Sequence, residues 1–130
     1  MTHPERVEDY LEHMADAIER AVRYVGNLEN LRALEENQQA QDAIVRTITV
    51  VGEAANRICK VAPDFVTNHP ELPWSQMRGI RNKVVHDYFD VAWDIVWNTV
   101  SADFPPLLQQ VRSLLSQLRR LEQLPDEFQA

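Results

Sequence analysis

The run Ile44-Val45-Arg46-Thr47-Ile48-Thr49-Val50-Val51-Gly52-Glu53-Ala54-Ala55-Asn56-Arg57-Ile58-Cys59-Lys60-Val61-Ala62 has the clearest periodicity in the chain. Ile44, Thr47, Ile48, Val51, Ala54, Ala55, Ile58, Val61 and Ala62 recur at spacings of three and four. At 100° per residue that gathers them on one helical face. Asp42, Arg46, Thr49, Glu53, Asn56, Arg57 and Lys60 fall toward the other side. The pattern predicts a helix that starts at residues 38–41 and ends before Pro63. Gly52 stands mid-helix, where glycine costs roughly 1 kcal/mol relative to alanine. Beside Ala54 and Ala55 it makes a smooth patch. That patch suits close packing within a bundle, a subunit contact, or a backbone brought near a ligand.

Working toward the N-terminus, residues 28–36 read as a connector with a short helical turn around Leu28, Leu31 and Leu34. Before it, Val7, Tyr10, Leu11, Met14, Ala17, Ile18, Ala21, Val22 and Val25 repeat at helical spacing. Thr2 and Glu5 have the spacing of a capping box, and Gly26-Asn27 is the expected stop. Working toward the C-terminus, residues 63–73 hold three prolines and read as a loop. A shorter helix is predicted from about Pro73 to about Val85, interrupted by Gly79. Asp90 is a candidate cap for a further helix with Trp93, Val96, Trp97 and Val100 on its apolar face. Pro105-Pro106 must kink or end it, because proline lacks an amide proton. Leu107, Leu108, Val111, Leu114, Leu115, Leu118 and Leu121 stripe a last helix. No stretch alternates at the strand period. The expected fold is an all-α bundle of about four to five helices, one domain over residues 1–124 with a tail at 125–130.

Composition narrows the class. The chain has 130 residues, 45% of them hydrophobic and 25% charged, which is ordinary for a globular protein. No apolar run approaches the ~20 residues of a membrane span, so no membrane association is expected. The single cysteine, Cys59, cannot close an intramolecular disulfide, which suits a reducing cytoplasm. Net charge is −7, unlike a broad nucleic-acid surface. Its distribution matters more. Residues 1–36 carry nine acids against four arginines, whereas residues 46–86 carry six bases against three acids. The middle of an acidic chain is locally positive, either as a solvated face or as a small anion-binding site.

That positive region contains Arg78-Gly79-Ile80-Arg81-Asn82-Lys83-Val84-Val85-His86-Asp87-Tyr88. Arg81 and His86 are five residues apart, so on a straight helix they diverge by ~140°. They share a pocket only if the helix ends or bends near Val85. Asn82 and His86 are i and i+4, close enough on a helix for Asn82 to hold the imidazole in one tautomer. An arginine can grip phosphate oxygens through paired hydrogen bonds, and an imidazole can take or give a proton near neutral pH. The pair suits RNA cleavage by attack of a 2′-hydroxyl on the adjacent phosphate, with no metal and no cofactor. The plain alternative is a salt-bridged arginine and a helix-capping histidine. His86, Asp87 and Asp90 are weaker candidates for metal ligands, since adjacent side chains diverge and no second histidine lies at helical spacing. His3, His13 and His69 read as surface residues. Trp74, Trp93 and Trp97 read as core, with base stacking as the alternative.

Val51-Gly52-Glu53-Ala54-Ala55-Asn56-Arg57, Leu72-Pro73-Trp74, Gly79 through Tyr88, Trp97 and Asp103-Phe104-Pro105-Pro106-Leu107 resemble the HepT-like toxins of the HEPN ribonuclease superfamily. The resemblance covers most of the chain. It implies an antiparallel helical bundle working as a homodimer, with the active cleft at the dimer interface. It implies a metal-independent endoribonuclease in which Arg81 and His86 are the catalytic pair. Asn82 matches the polar residue beside the arginine, and Arg78 and Lys83 are supporting RNA-binding candidates. It further implies a toxin of a type VII-like toxin–antitoxin system, partnered by a minimal nucleotidyltransferase antitoxin that transfers AMP to Tyr88. The competing expectation is a non-catalytic helical subunit of a nucleotidyltransferase complex.

Overall fold

The computed structural model describes residues 6–87 and 89–123. The long central helix, α3, runs Gln38–Val61 and buries Ile44, Thr47, Ile48, Val51, Ala54, Ala55 and Ile58 along the predicted stripe. Asn37 starts it: its side-chain oxygen accepts the Ala40 N–H at 2.9 Å, which satisfies one of the orphan amides of the first turn. Helix α1 (Val7–Gly26) buries Leu11, Met14, Ala17, Ile18, Ala21 and Val25. The proposed capping pair Thr2 and Glu5 lies outside the described residues. Helix α2 (Leu31–Glu35) is the expected short turn, capped by Asn30 through the Ala33 N–H at 2.9 Å. Helix α4 (Pro63–Asn68) occupies part of the expected loop. Pro63 stands in its first turn, where a missing amide costs nothing, so the residue that ends α3 also begins α4.

The expected helix from Pro73 to Val85 is divided. Helix α5 (Trp74–Arg78) and helix α6 (Ile80–Val84) meet at Gly79, and the chain then turns extended. Strand β1 (Val85–Asp87) pairs antiparallel with β2 (Asp90–Val91), so the reading that no strand forms is corrected by a short hairpin. Valine is at home in a strand, and Val85 and Val91 face one another in the register. Asp90 belongs to β2 rather than capping a helix. Helix α7 (Trp93–Asn98) starts after Ala92 with no side-chain cap.

A π-helical turn, Thr99–Asp103, carries α7 into α8 (Phe104–Glu122). The Phe104 N–H reaches back to the Thr99 carbonyl in the wide i→i−5 pattern. Pro105 and Pro106 then fall in the first turn of α8, so they do not end the run but sit where their missing amides are tolerated.

Helices α1, α3 and α8 enclose the core with α7 and α5–α6. Phe104, Leu11, Met14, Ile18, Ile44, Ile48 and Ile58 are among its fully buried side chains. Each such side chain contributes about 1.5–3 kcal/mol by leaving water. Trp74 is buried and its indole N–H donates to the His69 carbonyl at 2.9 Å, while Trp93 and Trp97 are half-buried against the core. On the outside, α1 and α8 are antiparallel and cross-linked by charge. Arg6 meets Glu122 at 2.6 Å, Arg119 meets Glu8 and Glu12, and Arg112 meets Glu19. Glu8, Glu12 and Glu19 of α1 thereby meet arginines of α8, while Asp16 and Glu36 are paired by Arg20 and Arg32 one turn away. Among the described residues no helix is long and apolar enough to cross a membrane.

Candidate functional site

The segment from Arg78 to His86 is positioned from behind by α3. A Cβ on Gly52 would stand 3.2 Å from the Met77 carbonyl oxygen and 3.4 Å from Ile80 Cγ2. The glycine therefore lets the junction of α5 and α6 lie directly on α3. One turn further on, Asn56 Oδ1 accepts a hydrogen bond from Arg78 Nε at 2.9 Å. The smooth patch around Gly52 serves close packing within the bundle, at the element that carries the candidate site.

Arg81, Asn82 and Lys83 are exposed on α6, held by the buried neighbours Ile80 and Val84. The Val85 N–H donates to the Arg81 carbonyl and closes the last turn. The Ala92 N–H donates to the Val84 carbonyl at 2.8 Å, which fixes the hairpin to the end of α6. The helix ends at Val84, which meets the condition that the spacing sets for Arg81 and His86 to share a pocket. Arg81 and His86 are not forced apart by a continuing helix.

His86 lies at an irregularity of the hairpin. Val85 pairs with Val91 and Asp87 with Asp90, so two steps on β1 answer one step on β2. His86 is the extra residue of a β-bulge, a device that bends a strand and re-aims a side chain. Asp87 Oδ1 accepts the Phe89 N–H at 2.7 Å and tightens the reversal. His86 is exposed, and Phe89 is almost entirely so. Because His86 is on a strand, its expected i,i+4 contact with Asn82 is lost, and no hydrogen bond joins them. The plain alternative for the pair is not realised either. Among the described residues Arg81 makes no ion pair, and His86 caps no helix. Tyr88 lies outside the described residues.

Lys83 also borders an apolar groove of about 520 Å³ between α5–α6 and the start of α8. Met77, Ile80, Thr99, Phe104 and Leu107 also line it. The bulge at His86 and the Asn56 anchor for Arg78 were missed in the sequence. Asn56 could have been found: it follows Gly52 by four residues, on the same face of α3.

An exposed arginine and a bulge-borne histidine thus stand near further cations on a helical bundle. Comparison with known proteins gives the family. The family model described as "Ribonuclease HepT-like" matches residues 14–114. The chain is 35% identical over 103 residues to "Probable ribonuclease HepT" of Thermococcus cleftensis, covering 77% of this chain and 87% of that protein. It is 30% identical over 106 residues to "Putative RNase TTE0752" of Caldanaerobacter subterraneus, covering 82% and 91%. It is 26% identical over 110 residues to "Putative RNase MJ0127" of Methanocaldococcus jannaschii, covering 85% and 84%. No solved structure matches the chain. The chain belongs to the HepT-like ribonuclease family. The all-α bundle expected from the sequence is the fold found.

Proposed function

We propose that this chain is the toxin of a type VII-like toxin–antitoxin pair, a cytoplasmic endoribonuclease that cuts RNA at Arg81 and His86 and works as a homodimer. The observation that carries the reading is the end of α6 at Val84 followed by the bulge at His86, in a member of a ribonuclease family. In the reaction, the 2′-hydroxyl oxygen attacks the adjacent phosphorus and its proton passes to the His86 imidazole. The P–O5′ bond breaks, and the 5′-oxygen leaves with a proton returned by the imidazolium. The products are a 2′,3′-cyclic phosphate and a 5′-hydroxyl. The guanidinium of Arg81 grips two non-bridging oxygens, whose charge rises as the phosphorus becomes five-coordinate. Arg78, Asn82 and Lys83 hold flanking phosphates or bases. Asn82, exposed on α6 and not hydrogen-bonded to His86, takes the RNA-contact role in this reading rather than that of a partner of the imidazole.

The off-switch is transfer of AMP to Tyr88 by a minimal nucleotidyltransferase antitoxin. The phenol oxygen displaces pyrophosphate from ATP and leaves a nucleotide two residues from His86. Its negative charge and bulk then occupy the space that RNA phosphate needs. Intact mass of the protein made with and without its neighbouring gene product tests this. A gain of one or more AMP units, abolished in Tyr88→Phe, is the expected result. A stable complex with unmodified mass would replace modification by simple binding.

A further inference from the structure

A second groove, of about 320 Å³, runs between α1 and α3. Tyr10 and His13 of α1 form one wall, and Arg46, Val50, Glu53 and Arg57 of α3 the other, with Ala54 between them. Arg46 and Arg57 are eleven residues apart, which is ~16 Å along the helix and within ~20° of the same face. Neither makes an ion pair among the described residues. This contrasts with Arg6, Arg20, Arg32, Arg112 and Arg119, each of which meets a carboxylate. Glu53 is the single carboxylate of the lining. It stands one turn before Arg57 and does not bridge to it.

Arg20 of α1 and Arg112 and Arg119 of α8 are spent on acids, whereas Arg46, Arg57, Arg81 and Lys83 on α3 and α6 make no ion pair among the described residues. Arg23 and Arg120 are likewise without an ion pair, but they do not line the groove, and Arg78 donates to Asn56. Two guanidiniums set along a groove fit successive phosphates, each able to accept paired hydrogen bonds. The Tyr10 ring, half-buried at the wall, offers a face on which a base can stack. The next α3 residue before Arg57 is Asn56, which holds Arg78 and with it the α5–α6 segment. A strand in the groove lies on the same helix that carries the Arg81 segment. Elsewhere the acidic surface of this chain repels a polyanion.

We propose that the groove between α1 and α3 is a second contact for single-stranded RNA, binding phosphates at Arg46 and Arg57 away from the cut bond. The inference rests on the ribonuclease reading, so its test uses RNA that cannot be cut. Affinity is measured by fluorescence anisotropy for a 2′-O-methyl RNA of about 12 nucleotides. Compared are the wild type, Arg46→Glu/Arg57→Glu, and Arg20→Glu/Arg32→Glu, which has the same net charge but leaves the groove intact. The groove variant is expected to bind about tenfold or more weakly than this control, with a salt slope lower by about 1.4. For cleavage it should raise KM on the long RNA while a dinucleotide substrate is cut at the wild-type rate. Equal affinity of the two variants overturns the proposal. So does a change of sedimentation mass in the groove variant alone, which makes the groove a subunit interface. A wild type that cuts nothing, with the affinity difference intact, removes the catalytic reading and leaves the groove standing.

Discussion

Gly52 shows how one missing Cβ sets the position of a site. Alanine at 52 would relieve the helix-propensity cost of glycine but bring a Cβ to 3.2 Å from the Met77 carbonyl. The two effects oppose each other, so Gly52→Ala is expected to change stability by less than about 1 kcal/mol. Gly52→Leu has no such balance. It should cost about 1–3 kcal/mol in urea denaturation, as overpacking does, and lower cleavage by displacing α5–α6. Asn56→Ala removes the acceptor for Arg78 Nε and is expected to cost no more than about 1 kcal/mol, since that bond is exposed. Residue types were legible at this scale. The stripe of α3 could be read directly, because helical periodicity is local, whereas Arg81 and His86 stood out as a candidate pair chiefly through the family resemblance. The bulge at His86 could not be read, because it exists only in the register between β1 and β2.

At the scale of elements, α6 ends through contacts that a linear reading cannot see. Val84 and Val85 continue the helical spacing of the segment before them. What stops the helix is the hairpin, tied down by the Ala92 N–H on the Val84 carbonyl and by the turn that Asp87 makes with Phe89. The π-helical turn is similarly silent in the sequence, where Pro105-Pro106 reads as a break. Phe104, at 1% exposure, stands where that turn passes into α8. Phe104→Ala should destabilise the protein by about 3–5 kcal/mol, measured by chemical denaturation. Asp87→Ala removes the acceptor for the Phe89 amide. It is expected to lower cleavage more than stability, because the hairpin is short and exposed while His86 depends on its shape.

For the molecule as a whole, the long helices were legible because each buries a continuous apolar stripe. The partition of charge was only half legible. The acid-rich N-terminal segment was visible, but the pairing of Glu8, Glu12 and Glu19 with arginines of α8, and of Arg6 with Glu122, requires the antiparallel docking of α1 on α8. One of these contacts carries a pH signature. A hydrogen bond to Glu8 raises the pKa of Glu122 from its ordinary value, with the charge of Arg6 pulling less strongly the other way. Between the ordinary and the raised value the folded chain holds a proton that the unfolded chain has lost. Stability should therefore fall as pH rises through that window, and the fall should be smaller in Glu122→Gln, as read from urea midpoints across the acid range.

The central claim is that this bundle cuts RNA through Arg81 and His86. Its most direct test is the initial rate of cleavage of a short RNA, with a metal chelator present, by the wild type and by Arg81→Ala and His86→Ala. Each variant is expected to lose about 10²–10⁴-fold in rate while keeping the wild-type urea midpoint. Wild-type rates in both variants would contradict the account.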